Sequence, residues 1–221
     1  MAKPKTVPVK SERDSGPHAL LLAAERLYGQ YGLENVSMRQ IVQAAGQANH
    51  YAVQHHFGDQ AGLIRAILEM RLPELDALRA RSLRRAERAG ALDVATLVET
   101  MFMPIAQFLD GEGRHVYAQF LMRLCGDENL WSEFETFAPT GVALAAALKK
   151  KLPKLSPGVF TLRLKLASQF FLMAIVSRDT ANVAPKMSQR TYFAHVIASC
   201  VAIFTHPDPT EQKSRRAKTA G

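Results

Sequence analysis

The chain has little cysteine, no long apolar run and no strand-type alternation, and each absence narrows what it can be. Cys125 and Cys200 sit inside apolar helical patterns without metal-ligand spacing. They read as buried, reduced thiols rather than a disulfide or a ligand pair. Nothing approaches the ~18 uninterrupted apolar residues of a membrane span, and the richest run is Phe170–Val176. The N-terminus, MAKPKTVPVKSERD, lacks the apolar region of a secretion signal, so a cytoplasmic protein with no membrane segment is expected. No Gly-rich phosphate loop, paired-carboxylate motif or nucleophile elbow appears, so no catalytic residue is nominated and no cofactor is expected. His50, His55 and His56 raise the question of a metal, but adjacent histidines on a helix point in different directions, and no metal site is assigned. His115 and His195 lie on otherwise apolar helices and read as satisfied core histidines.

What is present is a helical chain with a core. At 221 residues and 48% hydrophobic, it is long enough to bury one or two domains. The net charge of +8 is concentrated at the ends. Lys3, Lys5 and Lys10 put +3 in the first ten residues, and Lys213, Arg215, Arg216 and Lys218 against Glu211 put another +3 in the last eleven. The body therefore carries only +2. Residues 1–14 read as a flexible basic arm and 207–221 as a flexible basic tail, of the kind that adds salt-sensitive phosphate contacts.

The most informative stretch is Ser37 to Asp59, SMRQIVQAAGQANHYAVQHHFGD. Ser37 followed by Gln40 fits a capping box. Ile41, Val42 and Ala45 share a helical face, and Gly46 stands where a helix end needs a left-handed backbone. The next segment, read as a second short helix, carries Gln47, Asn49, His50, Tyr51, Gln54, His55 and His56, leaving Ala52, Val53 and Phe57 to pack. A polar short helix held by a turn against a small apolar one is how a helix-turn-helix presents its recognition helix to the major groove. An ordinary αα-hairpin would show the same spacing.

Residues 19–63 resemble the DNA-binding domain of the tetracycline-repressor (TetR) family of bacterial regulators. The landmarks are Tyr28-Gly29 and Tyr31-Gly32, then Ser37, Ile41-Val42, Ala45-Gly46 and His56-Phe57-Gly58. Two departures stand out. One residue more than usual separates the Ala-Gly turn from the closing aromatic, and Gln60 stands where the family often carries a phosphate-contacting Lys. The resemblance implies an N-terminal DNA-binding domain (15–60) and a C-terminal ligand-binding and dimerisation domain (61–206).

The remaining chain fits that layout as an all-α protein of about nine helices. Pro73 is expected to break or bend the fourth helix near Arg71-Leu72, and Glu74–Arg88 reads as a helix with a solvated charged face. Apolar helices follow over 92–110, 114–124, 129–151, 159–178 and 186–205.

DNA contacts are expected from Ser37, Arg39, Gln47, Asn49, His50, Tyr51, Gln54, His55 and Gln60, with phosphate roles favoured over base reading. The resemblance implies a central pocket, for which Met101, Phe102, Phe120, Arg123, Phe134 and Phe171 are candidates and whose effector would be small and mostly apolar. It also implies a homodimer, with Phe160, Leu164, Phe193, Val196, Ile197, Cys200, Val201 and Phe204 as candidate interface residues. The expected function is that of a ligand-responsive regulator, a repressor of a palindromic operator in double-stranded DNA. The alternatives are a ligand-independent or activating regulator of the same fold, or a helical protein-interaction module without specific DNA binding.

Overall fold

The computed structural model describes residues 16–49, 51–125, 136–179 and 187–208. Both arms as far as Ser15 and from Pro209, together with His50, Phe134 and the expected helix starts at Asn129 and Lys186, lie outside the described residues. Those that are described form nine α-helices and one 3₁₀ turn and contain no strand.

Helix α1 (Gly16–Tyr31) begins one residue ahead of Pro17 and buries Leu20, Ala24 and Tyr28. Tyr31, in the last turn, is 53% exposed, because the helix end has already left the core. Helix α2 (Met38–Ala44) starts from the expected capping box. The Ser37 N–H donates to Gln40 Oε1 at 2.8 Å, and the Gln40 N–H to Ser37 Oγ at 3.3 Å. Its end is a Schellman turn. The Gln47 N–H reaches Val42 O, the Gly46 N–H reaches Gln43 O, and Gly46 takes φ +66°.

Helix α3 (Ala52–Phe57) is shorter than the sequence suggests. Residues 47–49 precede it as a turn, in which Asn49 Oδ1 accepts the Tyr51 N–H and Asn49 O the Ala52 N–H. An Asn side chain that bonds the backbone two residues on favours a turn over a helix.

Helix α4 (Gln60–Arg88) is capped by Asp59, whose carboxylate accepts the Gly62 N–H at 2.8 Å. The expected break at Pro73 does not occur: α4 runs through it. Pro73 faces outward, while Leu68, Leu72 and Leu75 around it are fully buried. Three such side chains at about 1.5–3 kcal/mol each outweigh the ~3 kcal/mol that an interior proline costs.

Helix α5 (Val94–Phe102) passes into the 3₁₀ turn Met103–Gln107 at Pro104. Helices α6 (Val116–Leu124), α7 (Pro139–Lys151), α8 (Pro157–Arg178) and α9 (Gln189–Thr205) complete the bundle. One hydrophobic core runs continuously from Leu20 in α1 to Phe204 in α9. The most extensive helix pairing is α1 with α6, so the N-terminal helices are seated on the bundle rather than tethered to it by α4 alone. Cys125 and Cys200 are buried free thiols, as expected. His115 is buried, with Nδ1 2.7 Å from Asp179 Oδ1, but its Nε2 has no partner among the described residues. His195, expected in the core, is exposed. By length and composition α8 is long and apolar enough to cross a membrane, as the buried helices of globular proteins can also be. Phe171, Leu172 and Ile175 place one side of it in this core.

Candidate DNA-binding head and effector cavity

Helices α1 to α4 position a polar face around α3. Ala52 and Val53 are buried beneath it, and Gln54, His55 and His56 project outward. The His55 and His56 rings meet edge-on at 4.7 Å. Tyr51, just ahead of α3, is 72% exposed, the greatest exposure of any large apolar-bodied side chain among the described residues. Arg39 and Ser37 are exposed at the start of α2, but the Ser37 hydroxyl is spent on Gln40. Asn49 is exposed with its carbonyl oxygen committed to the turn, which leaves its NH₂ outward. Gln47 is half-buried, with its amide close against Gly16 of α1.

Gln60 is placed differently from the expectation. Its Nε2 donates to Leu33 O at 2.6 Å, tying the start of α4 to the loop after α1. A group already bonded inside the protein is not available to a phosphate. Arg26, Arg39 and Arg65 are balanced by Glu25, Glu34 and Asp59 over residues 16–67, so the head is electrically neutral with histidine uncharged.

Behind the head lies a cavity of about 370 Å³. Its walls come from α4 to α8, and of the candidate pocket residues Met101 and Phe102 line it. Phe171 stacks on Phe102 at 5.3 Å, outside the lining. Phe120 is fully buried between Tyr28 at 6.5 Å and Tyr117 at 6.4 Å, in the α1–α6 contact rather than at the cavity. Arg123 turns the same way and donates from Nε to Gly29 O at 3.2 Å.

The residue missed in the sequence is Arg79. Assigned there to a solvated face, it is buried and forms part of the cavity wall. The signal was its register: it follows Leu68, Leu72 and Leu75 at i, i+3/i+4 spacing on the inward stripe of α4.

The candidate interface residues divide. Phe160, Phe193, Val196, Cys200 and Phe204 are buried within the protomer. Ile197 and Val201 are half-buried, and Leu164 lines the cavity. The apolar side chains left outside on α8 are Leu162, Leu166, Phe170 and Met173, each 40–55% exposed. Their spacing puts them on one stripe.

A helix-turn-helix with an outward polar face, seated on a helical bundle, defines a DNA-binding regulator. Residues 20–67 match the family model of bacterial regulatory proteins, tetR family. This N-terminal domain is that of the TetR-family transcriptional regulators. The chain is similar in fold to a transcriptional regulator from Rhodococcus sp. Rha1, with 20% identity, 86% of this chain and 96% of that one covered, and a TM-score of 0.55. A structure from Mesorhizobium loti MAFF303099 assigned to TetR-family regulators aligns at 17% identity over 87% of this chain and 96% of that one, with a TM-score of 0.47. No curated protein matches the chain.

Proposed function

We propose that the chain is a ligand-responsive repressor that binds a palindromic operator as a homodimer. One observation carries this reading: α4 is a single helix whose start packs on the recognition segment and whose middle walls the cavity. Asp59, Leu63 and Ile64 belong to the head end, and Leu75 and Arg79 to the cavity end. A ligand that favours one placement of α4 therefore favours one placement of the head.

One six-residue recognition helix reads too few base pairs for specificity, and two heads about one helical turn (~34–36 Å) apart read a palindrome. The exposed α8 stripe supports the two-fold contact, which is proposed to run through Leu162, Leu166, Phe170 and Met173 in place of the residues buried inside the protomer. The outward groups at α3, Tyr51, Gln54 and His55, are the proposed DNA-contacting set, with Arg39 and Asn49 at its edge. Since the head is neutral, most long-range attraction to DNA is assigned to Lys3, Lys5 and Lys10 ahead of it.

The test is fluorescence anisotropy on DNA flanking the protein's own gene, at about 150 mM salt with excess random competitor. Competitor-resistant binding at two protomers per site, or a multiple, is expected. Binding that vanishes with competitor across a wide DNA panel overturns the reading.

A further inference from the structure

The apolar walls of the cavity do not account for one of its members. Arg79 is only 8% exposed, and its Nε donates to Met101 O at 3.0 Å, one of the five N–H donors of a guanidinium. Among the described residues no carboxylate lies within ion-pairing distance of it. Asp76, one helical turn earlier, is turned to α7, where it accepts from the Thr140 hydroxyl at 2.7 Å and the Gly141 N–H at 3.1 Å. Burial works against the Arg79 charge, and the field of the Asp76 carboxylate offsets this only in part.

Gly141 makes room for the guanidinium: a Cβ there would lie 3.0 Å from Arg79 Nη1. Among the described residues no other member of the lining is charged. The two wall hydroxyls, Thr161 and Ser168, already donate to carbonyls of their own helix.

A buried cation without a partner is costly, and a guanidinium is shaped to receive a carboxylate through two parallel bonds. We propose that the cavity takes an effector with an apolar body and a single carboxylate, the carboxylate paired with Arg79 and the body lying against Leu121, Leu164 and Leu172. This rests on the ligand-responsive reading and adds an anionic head to the apolar effector expected from the sequence. A second acidic group would meet no other cation among the described wall residues. The volume of about 370 Å³ corresponds to about a dozen waters at ~30 Å³ each, so the body is on the order of ten to fifteen heavy atoms.

The experiment is calorimetric titration of the full chain, without DNA, with decanoate, decanol and decyltrimethylammonium, all below micelle-forming concentrations. Decanoate is expected to bind roughly 10–100-fold more tightly than decanol, as a charge-assisted hydrogen-bonded pair allows, and the cation not at all. Arg79→Met keeps the length and removes the charge, so it should abolish the preference of decanoate over decanol. Ala145→Phe, which fills the chamber from α7 while leaving Arg79 in place, should abolish binding of both. Equal affinity of the unmodified chain for decanoate and decanol overturns the proposal. So does undetectable decanoate binding, a preference that survives Arg79→Met, or binding that survives Ala145→Phe. Since no DNA enters the titration, failure here leaves the operator measurement standing, and failure of operator binding leaves this result standing.

Discussion

Arg71 of α4 holds Glu25 of α1 through two hydrogen bonds, Nε to Oε1 at 2.9 Å and Nη2 to Oε2 at 2.6 Å. Glu25 is almost wholly buried, while the Arg71 side chain is 23% exposed and lies over the Phe108 and Tyr117 rings. The pair couples the first helix of the head to the helix that walls the cavity. Arg71→Met leaves the Glu25 carboxylate buried and unpaired. A loss of about 2–3 kcal/mol by urea unfolding is expected, below the ~3–5 kcal/mol for breaking a fully buried pair because one partner meets solvent. A loss below about 0.5 kcal/mol would show the pair to be screened like a surface bridge.

At Gly29 the close approach of α1 to α6 leaves no space for a side chain. A Cβ there would lie 3.0 Å from Gln119 Cβ and 3.1 Å from the Phe120 backbone nitrogen. Gly29→Ala is expected to cost about 1–3 kcal/mol through overpacking, although alanine is the better helix former. Thermal unfolding reads it, and unchanged stability would mean the two helices separate easily.

Gln54→Ala and His55→Ala should each weaken operator binding by roughly 1–3 kcal/mol while leaving stability nearly unchanged. Gln60→Ala should do the reverse, since its amide is bonded to Leu33 O rather than turned outward. Anisotropy and urea unfolding on the same three variants separate the two roles.

The α8 stripe predicts the assembly. Leu166→Glu with Phe170→Glu should convert the protein to monomers in sedimentation equilibrium with its helical signal preserved, because both side chains are exposed within the protomer. Cys200→Ser, beneath the surface of α9, should leave the oligomeric state as it is.

Burial pushes the Cys200 thiol up to about 12, from 9.0. Burial also raises Cys125, Tyr28 and Tyr117. For each, the folded state keeps a proton that the unfolded state releases first. Their contribution is therefore intact below pH 9 and is lost as pH rises through the folded values. Between pH 9 and 12, Cys200 alone should lower stability by about 1.4 kcal/mol per pH unit. Cys200→Ala should reduce that slope by one proton. An unchanged slope near pH 10–11 would remove Cys200 from the account.

The helix-turn-helix was legible in the sequence because every signal in it is local. Ser37 and Gln40 cap each other across three residues, Gly46 supplies a backbone conformation that its own lack of Cβ permits, and Asp59 caps the helix that begins after it. The all-α class follows likewise from the i, i+3/i+4 spacing of apolar residues along each helix. Contacts between distant segments left no such mark. Nothing near Pro73 in the chain says that Leu68, Leu72 and Leu75 are held tightly enough to carry α4 through it. Nothing beside Gln60 says that Leu33 O waits for its amide, and Phe120 and Phe102 are equally apolar although only Phe102 reaches the cavity.

Periodicity identifies the buried face of a helix but not what covers it. On α8 that difference separates Phe160, buried inside one protomer, from Leu162 and Leu166, left outside it. Local backbone chemistry alone thus determined the head and the helical class. The cavity, the one guanidinium among its described lining residues and the exposed α8 stripe were decided by the tertiary structure, because each depends on which helix faces which across the bundle.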